Sequence, residues 1–91
     1  DPEARLELRL STIRAARDRG EPWEVVLEAE ELLDEVPDHA EALLLLAEGL
    51  LDSDEPDLAA PVFEHRLRLV PRDPAALAGL AEARFEIGEL M

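Results

Sequence analysis

The chain has no cysteine, lysine, asparagine, glutamine or tyrosine. Without cysteine there is no disulfide framework and no thiolate metal site. Aromatic residues make up 3% of the chain, so its core must be aliphatic, built from Leu, Ala and Val. β-Branched residues are sparse against the Leu, Ala, Glu and Arg that favour helix. No apolar run approaches the roughly 20 residues of a membrane span. No basic segment followed by an apolar one opens the sequence as a secretory leader would. These two absences give a cytoplasmic expectation. The first residue is Asp1 rather than Met, which suggests an excised or processed chain.

What is abundant is acid. The 91 residues carry a net charge of −14, and all nine basic residues are Arg, a usage that resembles a GC-rich coding sequence. The charge is unevenly placed. Residues 1–20 hold five Arg against four acids, and residues 58–91 hold four Arg against five acids. Residues 21–57 hold fourteen acids and no Arg or Lys. Such a field repels nucleic acid and anionic lipid and attracts basic partners. Salt adaptation would give the same surface, and the run Glu28, Glu30, Glu31, Asp34 and Glu35 reads first as a solvated helix face.

Ninety-one residues make one domain, which buries only about 60–65% of its unfolded surface. Regularity must help such a thin core, and a repeat is visible. Pro37 and Pro71 are 34 residues apart, each after a Val, and Pro22 and Pro56 are 34 apart, each after a Glu. Ala42-Leu43 recurs as Ala76-Leu77, and Leu46-Ala47-Glu48 recurs as Leu80-Ala81-Glu82. With only seven prolines in the chain, their register outweighs any compositional bias.

Helix punctuation agrees with that period. Asp1-Pro2 starts a helix and Gly20 stops it, predicting the first helix over about 2–19. The second opens at Glu21-Pro22 and ends before Pro37. Its apolar residues step by three and four along one face. Asp38 with Glu41 predicts a capping box for a third helix reaching about Leu51. The fourth runs to about Val70 with Pro61 expected in its first turn, and the fifth from Asp73-Pro74 to about Ile87. A sixth would begin at Glu89. Short turns make neighbours antiparallel, and repeated pairs stack.

The pattern resembles the tetratricopeptide repeat. In residues 40–73, Leu43, Leu46, Ala47 and Leu50 stand at that family's first-helix packing positions. Ala59, Phe63 and Pro71 stand at its second-helix small residue, its aromatic and its closing proline. Leu77, Leu80, Ala81 and Gly88 continue the pattern. Two places depart from it: Arg66 replaces a small residue, and Arg9 and Thr12 replace large apolar ones. The resemblance implies an all-α, right-handed solenoid of about five helices in one domain, 1–91. Its repeats would be 6–39, with a degenerate first helix, then 40–73 and a truncated 74–91. It also implies a non-catalytic scaffold that holds a protein or peptide on a concave face lined by the first helix of each pair. The residues facing that surface would be Leu10, Arg14 and Arg17 from the first helix. Glu41, Leu44, Glu48 and Leu51 would come from the third, with Asp52 on its rim, and Ala78, Glu82 and Phe85 from the fifth. The family's specialised carboxylate grip uses Lys and Asn, which are absent here. A basic or amphipathic segment suits the surface better. The alternative is self-assembly, or packing on the rest of a larger protein, through the open C-terminal end.

The remaining candidates are weak. Trp23 reads as an inter-helix filler, with a binding anchor as the alternative. Phe63 reads as core. His39 and His65 share no helix turn, so no metal site is expected. Asp52, Asp54, Glu55 and Asp57 lack the spacing and the glycine of a twelve-residue calcium loop. Ser11 and Ser53 have no neighbouring His and no strained glycine turn, and no acid is marked for a shifted pKa. No cofactor and no enzymatic activity are expected.

Overall fold

A computed structural model describes residues 1–88, all of whose regular structure is helical. The helices are α1 (Pro2–Asp18), α2 (Pro22–Glu35), α3 (Ala40–Asp52), α4 (Pro56–Leu69) and α5 (Pro74–Gly88). The sixth helix expected from Glu89 lies outside the described residues. Each helix packs on its chain neighbour, and α3 also touches α1 and α5. The stack measures 48 × 27 × 20 Å. No helix among the described residues is long and apolar enough to cross a membrane.

The turns explain the boundaries. At the end of α1, Gly20 N–H donates to Arg17 O and Glu21 N–H to Ala16 O. These are the paired bonds of a Schellman stop, whose turning residue is left-handed. Gly20 supplies that conformation at φ 71°. The same bonds recur 34 residues later, from Asp54 N–H to Leu51 O and from Glu55 N–H to Leu50 O. Here Asp54 takes the left-handed position at φ 62°. A left-handed residue with a Cβ costs about 1–2 kcal/mol, less for Asp than for most. Asp54→Gly should therefore raise stability by about 1 kcal/mol and the thermal midpoint by about 4–8 °C. A melt of Asp54→Gly beside Asp54→Asn separates this relief from loss of one negative charge. The second kind of turn also recurs at this interval: Val36 N–H to Leu32 O, then Val70 N–H to Arg66 O.

Two local expectations are corrected. The cap of α3 is His39, whose Nδ1 accepts from Ala42 N–H at 3.2 Å. Asp38 instead meets His65 Nε2 at 2.8 Å, and Glu41 is drawn to an arginine on α1. Pro61 sits inside α4, not in its first turn. The ring points to solvent, where the Asp57 carbonyl it leaves without an N–H donor can be hydrated.

The core is one aliphatic cluster with Phe63 at 0% exposure. The α5 backbone meets that ring at Gly79. A Cβ placed there would overlap the Cζ and Cε1 atoms of Phe63. Gly49 gives a similar close approach, with a would-be Cβ 3.1 Å from both Val25 Cγ1 and Val26 Cγ2 of α2. Trp23, expected between helices, is 54% exposed. The buried face of α2 is Val25, Val26, Ala29 and Leu32, and Trp23 projects from the opposite side.

Candidate functional site: an apolar groove with an acidic rim

A groove of about 460 Å³ lies where the C-terminal ends of α1 and α3 meet α5. Small residues open it. Ala75, Ala78 and Gly79 line its α5 wall, where larger side chains would fill the space. Leu51 of α3 contributes apolar surface, and Leu45 of α3 and Phe63 of α4 lie buried beneath it. Arg17, Glu48, Asp52 and Glu82 supply the charges.

Six of the eleven residues expected on the concave surface line this groove: Arg17, Glu48, Leu51, Asp52, Ala78 and Glu82. The other five lie elsewhere. Leu10 is corrected outright, because it is buried in the core at 3% exposure. The cause is in α1 itself. Arg9 and Thr12 occupy the positions that α3 fills with Leu43 and Leu46, and neither suits burial. Arg9 instead pairs with Glu35, and the Thr12 hydroxyl donates to Leu8 O at 3.1 Å. Leu10 is left as one of the three residues that α1 buries, with Ile13 and Ala16. Leu44 is half-buried against the core rather than in the groove. Phe85 is 66% exposed and does not line it.

Arg14 and Glu41 face each other. Arg14 Nε donates to Glu41 Oε2 at 2.6 Å and its Nη2 to Oε1 at 2.7 Å. Its Nη1 reaches Glu7 Oε1 at 2.9 Å. This fork-to-fork pair clamps α1 to α3 and withdraws Glu41 from the rim. The Arg14 bonds hold the Glu41 carboxyl below its ordinary 4.5, against an opposing effect of burial.

Glu48 behaves differently. Burial pushes its carboxyl above the ordinary 4.5; Arg17 opposes this, Asp52 and Asp73 add to it, and Arg66 opposes it. Among the described residues, Glu48, Asp52 and Glu82 form no ion pair, whereas Arg17 Nε meets Asp18 at 3.3 Å. The groove thus presents three uncompensated carboxylates around apolar surface. Glu28, on α2, is also raised above 4.5, first by burial and then by Glu24.

These shifts set a pH dependence. The native state binds protons at Glu48 and Glu28 more readily than the unfolded chain, so their contribution to stability grows as pH falls from neutral. Glu41 acts oppositely: its contribution is present above 4.5 and is lost as pH falls through its lower folded value. Stability should therefore pass through a maximum on the acid side of neutrality. Urea midpoints across that range test this. Glu48→Gln should flatten the rise, and a monotonic fall from neutral would contradict the assignment.

Sequence reasoning found Ala78 but missed Ala75 and Gly79, the other small residues that open the groove. Their signal was the run Ala75-Ala76-Leu77-Ala78-Gly79, which has too little side-chain volume to fill the space beside a Leu-rich helix. Among the described residues no group of three or more His, Asp or Glu is placed to hold a metal ion. No protein-family model matches the chain, and no curated protein matches its sequence.

Proposed function

We propose that this chain is a non-catalytic, tetratricopeptide-like interaction module that holds a basic, amphipathic protein segment in the groove between α1, α3 and α5. The observation that carries the reading is that Glu48, Asp52 and Glu82, without ion-pair partners among the described residues, surround apolar surface. A guanidinium or ammonium entering there would relieve the burial cost at Glu48, while Leu51 and Ala78 would take the apolar side of the segment. The 34-residue recurrence of the turn bonds supports stacked helix pairs of the tetratricopeptide kind, continuing as a solenoid.

Panning a random peptide library on the folded domain tests the proposal. The expected result is enrichment of peptides that combine Arg or Lys with Leu or other large apolar residues. Their affinity should fall steeply with salt and be lost in Ala78→Arg, an exposed position whose change leaves the core alone. Enriched peptides indifferent to both Ala78→Arg and Glu48→Arg would place binding elsewhere and overturn the reading.

A further inference from the structure

Among the described residues the groove is lined by one cation, and the head of that cation is free. Arg17 is the basic residue in its wall. The α1 arginines that reach other helices are engaged. Arg14 uses Nε, Nη1 and Nη2 on Glu41 and Glu7, and Arg9 pairs with Glu35. Arg17 has only its Nε on Asp18, the next residue in the chain, at 3.3 Å, and both side chains are well exposed. A contact of that kind contributes little. Its Nη1 and Nη2 have no hydrogen-bond partner among the described residues, so most of the fork that grips a carboxylate is open. With the groove taken as the binding site proposed above, we infer that Arg17 is an anion subsite, and that the segment it selects carries one acidic residue among its basic ones.

The arrangement of the walls supports this. The third helix touches both α1 and α5, which do not touch each other. Arg17 therefore stands on one wall and Glu82 on the other. Glu48 and Asp52 lie between them, one helical turn apart on α3. Arg17 forms no ion pair with any of the three, yet it is close enough to Glu48 to oppose the rise of that carboxyl. Opposite charges that face each other without meeting leave room for a bridging pair. A cation of the segment would sit against Glu48 and a carboxylate against Arg17. The complement of one arginine and three carboxylates is still a net basic segment. A segment with no acid meets Arg17 as repulsion, so the residue that accepts the acid also penalises its absence. A cation in the last turn of α1 suits the helix dipole as well. That accounts for the charge of Arg17 and predicts no preference among segments.

The test titrates the folded domain with soluble peptides of Arg, Leu and Ala in which each Ala in turn is replaced by Glu. Wild type is compared with Arg17→Gln, an exposed change that should leave the helical circular dichroism unaltered. Glu at one position should bind wild type about two- to five-fold more tightly than Glu elsewhere, the size of a partly exposed ion pair. That advantage should vanish in Arg17→Gln, while the acid-free parent peptide binds Arg17→Gln more tightly than wild type. Arg17→Lys keeps the charge without the fork, so it should retain the penalty on the parent and lose most of the positional preference. A wild type that every Glu weakens alike overturns the assignment. So does a preferred position that Arg17→Gln leaves unmoved. Ala78→Arg separates this from the groove itself. Peptides that it excludes occupy the groove even where Arg17 proves indifferent, whereas peptides that it leaves bound contradict both claims.

Discussion

Replacing Phe63 with Ala should cost about 3–5 kcal/mol and lower the thermal midpoint by about 12 °C or more. The ring is fully enclosed. It also replaces backbone bulk that α5 does not have, because the helix comes onto it at a glycine. Gly79→Ala should accordingly be costly too, about 1–3 kcal/mol by overpacking, although alanine is the better helix former. The two changes are coupled through identified atoms. A Cβ at position 79 would meet the Cζ, Cε1 and Cε2 atoms of Phe63, and leucine has none of them. In a Phe63→Leu background, Gly79→Ala should lose most of its cost, a coupling on the order of 1 kcal/mol or more in a double-mutant cycle. Additive effects would mean that the ring and the glycine do not define this contact. Because Phe63 and Gly79 also line the groove, their packing sets its depth.

Asp73→Ala should destabilise the fold by about 1.5–3 kcal/mol, the range for a hydrogen bond between charged groups. Arg66 Nε donates to Asp73 Oδ2 at 2.9 Å, and the two side chains are only 15% and 12% exposed. The bond ties the last turn of α4 to the start of α5. It also accounts for the arginine at a position where the tetratricopeptide pattern has a small residue. Arg66 reaches along the α4–α5 turn to its acid instead of packing between helices. Removing both partners should therefore cost much less than the two single changes together. Denaturant midpoints for Asp73→Ala, Arg66→Ala and the double variant decide this. Strict additivity would reduce the pair to a surface contact.

The helical layout was readable because its punctuation is chemical and local. Proline at four of the five helix starts, Gly20 and the acids around the turns fix ends that differ by a residue or so from the observed ones. The four departures arise where a distant residue competes with a local rule. Glu41 belongs to a capping pattern in sequence, but Arg14, 27 positions away, offers it two charge-assisted bonds. Leu10 was expected on an open face because its counterpart in the repeat would be. Arg9 and Thr12 make burial at their own positions unfavourable, and α1 buries Leu10 instead. Trp23 is large and apolar, yet its side of α2 has no neighbour. Pro61 keeps its place inside a helix because its ring and the carbonyl it strands face water.

The groove was half legible for the same reason. Glu48, Leu51, Asp52, Ala78 and Glu82 sit at helix positions that a repeat register can assign. Whether a carboxylate there is free depends on the position of every arginine, which only the folded chain determines. Five of the nine arginines lie in residues 1–20. Those of α1 that reach across to other helices, Arg9 and Arg14, meet Glu35 and Glu41. The rim of the groove is left to Arg17 alone.

The most direct measurement is an amide-shift titration of the isotopically labelled domain with a soluble amphipathic peptide made only of Arg, Leu and Ala. If the groove is the binding site, saturable shifts will concentrate at Arg17, Glu48, Leu51, Asp52, Ala78 and Glu82. Ala78→Arg will abolish them, while the α2 face around Glu30 and Glu31 stays still. Shifts centred on that α2 face, or weak shifts spread evenly over all the acids, would show attraction by net charge alone and contradict the groove as the site.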